Sequence, residues 1–258
     1  MKKTLCSRHF LAAALIVLAA MWGLPLALPS LSLADAISAP NGKVEGVYGN
    51  MDGDHTKVVS GSASLPLGAM MGTQFDAIYG EIGSTDQIKG LGLHLFTRDP
   101  QSHLLGLAVS YVDYDGTQFE RYALEGEYYF GPFTAEALLG HQTGDIDDAA
   151  YGILDLAWYP ADNLRLVIGG TFADSDQTQG HIGVELQAAE GLALFAEAAI
   201  GEKNYEHALM GVRYYFGNQK SLIKRHREDD PKNRLLIKLP QPVEPPSAPI
   251  SLPEDSEA

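Results

Sequence analysis

The chain has 258 residues, 45% of them apolar and 20% charged, with 33 Asp and Glu against 18 Lys and Arg. That acid excess argues against phosphate or nucleic acid as a partner. No stretch beyond the N-terminus is apolar for long enough to form a membrane helix. The single cysteine, Cys6, precedes the apolar N-terminal run, so a processed chain has no thiol for a disulfide or a thiolate metal site.

Residues 1–36 read as a secretory signal. Lys2, Lys3 and Arg8 form its basic end, Phe10 to Trp22 its apolar run, and Ala34-Asp35-Ala36 its small-residue cleavage site, with cleavage after Ala34 as the near alternative. From Lys43 to Phe216 the apolar residues recur at period two, the signature of strands with one apolar and one mixed face. Val59, Gly61, Ala63 and Leu65 alternate with Ser60, Ser62 and Ser64. Leu154, Leu156 and Trp158 flank Asp155, and Ile182, Val184 and Leu186 oppose His181, Glu185 and Gln187.

The pattern predicts twelve strands, at 43–49, 58–66, 73–82, 88–98, 103–113, 119–130, 133–142, 150–159, 164–172, 178–187, 192–201 and 205–216. Most approach the ~9–11 residues that a tilted membrane strand needs. The connections fall into two alternating sets. At one end, four of the five carry Pro, as in Leu65-Pro66-Leu67-Gly68 and Tyr159-Pro160-Ala161. At the other end all six are acidic and none carries Pro. With the N-terminus on the periplasmic side, the Pro turns lie inside and the acidic turns outside. Phe96, Tyr128, Phe130, Phe133, Trp158, Tyr159, Tyr214 and Phe216 gather near the Pro-turn end, where a membrane girdle of aromatic rings is expected.

The closing strand, His207 to Phe216, presents Ala208, Met210, Val212, Tyr214 and Phe216 on one face and His207, Leu209, Gly211, Arg213 and Tyr215 on the other. It should pair with the first strand near Val44 to Tyr48. After Gly217 the periodicity stops. Residues 37–216 hold 8 basic and 25 acidic side chains, whereas 217–258 hold 7 of each. Lys220 to Lys238 is of mixed charge, and six of the fourteen residues from Pro240 to Pro253 are Pro, which reads as an extended, solvated tail.

This organisation resembles the outer-membrane β-barrel proteins of Gram-negative bacteria, in the broad porin-like group. Gly211-Val-Arg-Tyr214-Tyr-Phe216 is similar to that family's assembly signal, with Gly211, Tyr214 and Phe216 at its marked positions. Two departures stand out: Leu209 replaces the polar residue expected two before the Gly, and 42 residues follow Phe216. The resemblance implies an all-β fold, a 12-stranded antiparallel up-and-down transmembrane β-barrel over 37–216 with an extended periplasmic tail over 217–258. It implies export through the periplasm to the outer membrane, and lipid and the membrane-insertion machinery as partners. The tail is expected to contact the cell wall or another periplasmic partner, to enter the barrel in part, or simply to be a solvated linker.

Under this threading Glu45, Asp76, His94, Arg121, Glu125, Glu127, Glu136, Asp155, Arg165, His181, Glu185, Glu197 and Arg213 face the lumen. They would line a water-filled, cation-preferring pore, or close it with salt bridges to the three arginines. Asp52, Asp54, Asp86, Asp113, Asp115, Asp145, Asp147, Asp148, Asp174 and Asp176 form an acidic outer rim. Asp and Gly are also turn formers, and no segment has the full spacing of a calcium loop, so no metal is expected. Outer-membrane lipid hydrolases use a Ser–His pair facing lipid. The histidines here show no such Ser partner, and neither catalysis nor a cofactor is expected. The readings carried forward are a passive channel for small cationic or neutral solutes and a structural or adhesive scaffold with a plugged lumen.

Overall fold

The computed structural model describes residues 35–174, 177–229 and 231–236. The predicted signal segment up to Ala34, the predicted rim residue Asp176 and the Pro-rich stretch from Ile237 onward lie outside the described residues. The described chain forms twelve strands: β1 (Asn41–Met51), β2 (Asp54–Pro66), β3 (Met71–Ile82), β4 (Asp86–Asp99), β5 (His103–Tyr114), β6 (Thr117–Phe130), β7 (Phe133–Gly144), β8 (Ala149–Ala161), β9 (Leu164–Ala173), β10 (Gln177–Ala189), β11 (Leu192–Gly201) and β12 (Glu206–Phe216). Each pairs antiparallel with its sequence neighbours, and β1 pairs with β12 to close a barrel. Val44 lies opposite Tyr214 and Tyr48 opposite Met210, the seam expected from the sequence. Closure leaves no strand edge with unpaired backbone groups, a requirement inside lipid.

The side-chain alternation sorts the barrel inside out relative to a soluble protein. Val59, Ile168 and Met210 are 63%, 62% and 61% exposed on the outer surface, while Ser60, Asp155 and Arg165 on the inner face are buried within. Water would penalise so wide an apolar exterior, and a bilayer would not. The chain is therefore a membrane-spanning barrel.

The hairpins explain the acidic turns. Asp52-Gly53 and Asp115-Gly116 have φ of 58° and 88°, and of 47° and 84°. Left-handed backbone at both central residues matches the twist of two-residue hairpins, and Asp and Gly tolerate it. Other rim carboxylates tie down backbone. Asp113 Oδ1 accepts the Gly116 N–H, Asp145 Oδ2 accepts that of Gln118, and Asp174 Oδ2 accepts that of Ala150. Asp52, Asp113, Asp115, Asp145 and Asp174 thus serve the turns, and no three His, Cys, Asp or Glu among the described residues gather as a metal cage.

The aromatic girdle needs a correction. Tyr128, Phe130, Phe133 and Trp158 form a row of stacked rings on the outside, with centroids 5.8, 5.6 and 6.4 Å apart, and Tyr214 packs edge-on against Phe216. Phe96 and Tyr159, however, point inward and are buried. Phe96 shares the parity of His94, and Tyr159 that of Asp155, so the pleat turns both toward the lumen. Phe96 packs there with Ile37, Leu104 and Tyr129. Ala36, the last residue of the predicted signal, is fully buried, and its N–H donates to the Ala69 carbonyl at 2.8 Å. Cleavage after Ala34 would retain this contact, whereas cleavage after Ala36 would remove it.

The largest departure from the sequence reading lies beyond Phe216. Gly217, at φ 109°, turns the chain back beneath the barrel. A short helix, α1 (Leu222–Glu228), follows, and residues 231–236 then run within the lumen. The described part of the tail is folded against the barrel wall instead of forming a solvated linker. It finds apolar seats for Leu222 and Leu235 and charged partners for its basic side chains.

Candidate functional site: the lumen and the segment within it

The predicted lumen residues all face inward, and the wall pairs many of them. His94 on β4 has Nε2 3.0 Å from Asp76 Oδ2 and Nδ1 3.0 Å from Glu125 Oε1, so both ring nitrogens meet a carboxylate. Gln74 supports Asp76 from the same strand, donating through Nε2 at 2.8 Å. Arg165 donates to Glu136 at 2.7 Å. Arg213 on the closing strand reaches Glu185 at 2.6 Å and Glu45 at 3.1 Å, and lies over the Phe195 ring. His181 Nε2 lies 2.8 Å from Asp155, and His207 Nε2 lies 3.2 Å from Glu197. Arg121 departs from the expected acid pairing. It donates to Gln142 Oε1 at 3.1 Å and stacks over Phe119. Glu127 accepts from the Tyr129 hydroxyl at 2.8 Å. Sequence parity placed these groups inside; it could not say which would pair.

Two inward cations escaped the sequence reading. Lys43 and Arg98 are both buried on the lumen face, the latter stacked over Phe96. Both follow the same parity as their predicted neighbours, Glu45 and His94. The wall thus sets eight predicted carboxylates against five Lys and Arg.

The remaining cations come from the C-terminal segment. α1 lies across the Pro-turn end, called here the inner mouth. Leu222 is buried against Ala193 and Tyr215, and Ile223 packs on Ala157, Tyr159 and Val167. Turn residues hold the helix start: Asn163 Oδ1 accepts the Leu222 N–H at 3.2 Å, and the Asp162 carbonyl accepts that of Ile223 at 3.0 Å. Arg225 donates to Gln187 Oε1 at 3.1 Å, and Arg227 Nη2 donates to the carbonyls of Phe133 and Gly131 at 2.8 and 3.0 Å. Lys220 pairs with Asp229 and Glu228 within the segment.

Beyond the helix the chain climbs the lumen. The Pro231 carbonyl accepts from Gln74 Nε2 at 3.1 Å and from Lys43 Nζ at 3.5 Å. Lys232 Nζ lies 3.3 Å from Asp155, and Arg234 lies 3.2 Å from Glu136 and 3.5 Å from Asp155. Leu235 then joins an apolar cluster with Met51, Ile82, Ile88 and Val112, near the acidic-turn end. The segment therefore rises from the inner mouth to the outer half. It leaves open a cavity of ≈ 180 Å³, lined among others by Tyr159 and His226 toward the inner mouth, Glu185, Arg213 and Glu197 midway, and Met51 and Tyr205 toward the outer mouth. Among the described residues, it is the chain's own C-terminal segment that occupies the lumen.

His226 gives this docking a pH dependence. Its ring sits between the hydroxyls of Tyr159 and Tyr215, at 2.9 and 3.0 Å, with Glu185 3.5 Å away and Arg165, Arg213 and Lys43 also bearing on it. Burial outweighs Glu185 and holds His226 down to about 3 from the ordinary 6.5. The docked ring is therefore neutral and satisfied by the two hydroxyls. A released segment takes up a proton on His226 below pH 6.5, while a docked one does so only near pH 3, so docking weakens as the pH falls between those values. The conductance of the full chain should rise on acidification from pH 7 to 4, and His226→Asn should flatten that rise. An identical rise in the variant would clear His226 of the effect.

No protein-family model matches the sequence, and no curated protein matches it. Solved structures do. The KdgM porin in complex with disordered oligogalacturonate superposes with a TM-score of 0.57 at 8% identity, over 68% of this chain and 99% of that one. The NanC porin superposes with a TM-score of 0.54 at 5% identity, over 68% of this chain and 100% of that one. The chain has the outer-membrane porin fold. At such identities the likeness establishes the architecture alone; the lumen chemistry is read from this chain's own residues. The C-terminal segment, which no strand pattern announces, follows one of the three expectations for the tail, entry into the barrel, but the sequence reading did not name its residues as part of the site. Its visible signal was charge: residues 217–236 carry six Lys and Arg, beside a barrel whose side chains sum to seventeen negative charges.

Proposed function

We propose that the barrel is a passive channel for small solutes, cationic or neutral, held narrow by its C-terminal segment. The observation that carries this reading is the cavity left beside the segment, lined by residues from the inner and outer halves of the barrel and walled by Glu45, Glu136, Glu185 and Glu197. Carboxylates facing a confined aqueous path raise the local concentration of cations and repel anions. The oligogalacturonate named with the KdgM porin is itself a chain of carboxylates, and the acidic wall here argues against that class of solute. Liposomes carrying the full-length protein should take up small ammonium solutes faster than carboxylates of equal size. Equal rates, or faster anion entry, would overturn the preference.

The occupied lumen gives the second reading specific support. A barrel filled by its own chain also suits a structural scaffold, and no uptake of any solute, with or without the segment, would favour it.

A further inference from the structure

Glu136 on β7 and Asp155 on β8 are directly opposed in the strand register and both point inward. Side chains at opposed positions stand within contact range, so the two carboxylates make one doubly acidic spot on the wall. The wall itself offers one close cationic partner to each, Arg165 for Glu136 and His181 for Asp155. The His181 contact is incomplete: Asp155 Oδ1 lies 2.8 Å from Nε2 but out of hydrogen-bond alignment, and Asp155 is fully enclosed. Gly169 on β9 makes the space for this pair. A Cβ there would lie 2.2 Å from Asp155 Oδ1 and 2.6 Å from His181 Nε2.

The outstanding charge is met from elsewhere in the chain. Arg234 straddles the spot, with Nη2 3.2 Å from Glu136 and Nη1 3.5 Å from Asp155, and Lys232 brings an ammonium to within 3.3 Å of Asp155. A planar fork spanning two carboxylates beside a point cation is recognition geometry, and here it is supplied by a segment that is not part of the barrel. The cavity is lined by Glu136, Lys232 and Arg234, so a solute moving along it meets this spot.

We propose that Glu136 and Asp155 form a binding site for solutes bearing guanidinium and ammonium groups, and that Arg234 and Lys232 are its resident ligands. This rests on the channel reading for its physiological meaning, and its binding chemistry is independent of flux. Solute and segment compete for the same carboxylates. A site free only part of the time binds with an apparent affinity reduced by that fraction.

The test uses the folded full-length protein in detergent and agmatine, which carries one guanidinium and one ammonium group, with binding measured by calorimetry. The double variant Lys232→Gln, Arg234→Gln vacates the site without altering a strand. It should bind agmatine at least about tenfold more tightly than the unaltered chain. Adding Asp155→Asn, or Glu136→Gln where the first variant does not fold, should abolish the gain. A vacated site that binds no better, or a gain that survives loss of the carboxylate, overturns the proposal. Liposome flux separates the two readings. Tight binding with no flux in any variant removes the channel and leaves the site. Flux with binding unchanged by vacating the site removes the site and leaves the channel.

Discussion

Deletion of residues 218–258 is expected to raise the single-channel conductance on the order of fivefold and to make the pore clearly cation-selective. Barrels of eight strands are filled by their own side chains, and those of sixteen or more hold open water channels. With twelve strands, the width is intermediate and the content of the lumen decides. α1 and residues 231–236 fill it from the inner mouth to the apolar cluster around Leu235. Their removal takes Lys232 and Arg234 away from Glu136 and Asp155 and leaves eight predicted wall carboxylates facing Lys43, Arg98, Arg121, Arg165 and Arg213. Planar-bilayer recordings in a salt gradient measure both effects, the step size and the sign of the reversal potential. Unchanged step size would show that the segment does not obstruct the path. Anion selectivity in the truncated barrel would show that the wall carboxylates do not set the field.

Arg213→Met is expected to weaken the barrel more than any other single change in the lumen wall, by about 3–5 kcal/mol. Arg213 sits on β12, directly opposite Glu45 of β1, and reaches Glu185 of β10, so one guanidinium serves carboxylates on both flanks of the closing strand. Taking it away leaves two buried carboxylates facing each other without their shared cation, which costs far more than the pair contributes while intact. Arg213→Lys should fall between, because an ammonium cannot fork to both acids. The mobility of unheated samples on gels, followed through a urea series, reports the folded fraction. A midpoint equal to that of the unaltered chain would mean that water or Tyr215, whose hydroxyl already donates to Glu185 at 2.7 Å, satisfies both acids.

Most of the barrel was legible because the rule that forms it is local. A strand between lipid and water alternates its side chains residue by residue, so Val59 against Ser60 or Leu154 against Asp155 declares a face without any knowledge of the partner strand. Ends were less legible. β2 begins at Asp54, four residues before its alternation becomes clear at Val58, because the hairpin extends past the lipid band. Phe96 and Tyr159 show a different failing. Their height along the barrel was readable from the nearby turns, and their direction from parity, but membership of a girdle was assigned on height alone.

The C-terminal segment was illegible for a physical reason. Its contacts are made across 98 residues between Arg234 and Glu136 and 157 between Pro231 and Gln74, and no periodicity records a partner so distant. A basic stretch carries the same composition whether it is solvated or lies among buried carboxylates. Charge complementarity with the barrel hinted at the second, and nothing in local pattern could decide it.

The seat of α1 is built from distant parts of the barrel. The helix and its flanks touch the β6–β7 turn through Gly131, the β8–β9 turn through Asp162 and Asn163, Gln187 near the end of β10, and Tyr215 of the closing strand. These surfaces come together only when the strands are already joined, and the segment leaves β12 at Gly217, beneath a seam that is closed above it. The complete seat of the helix thus exists only in the closed barrel, and the segment fastens together, from below, parts of the wall that lie far apart in the chain.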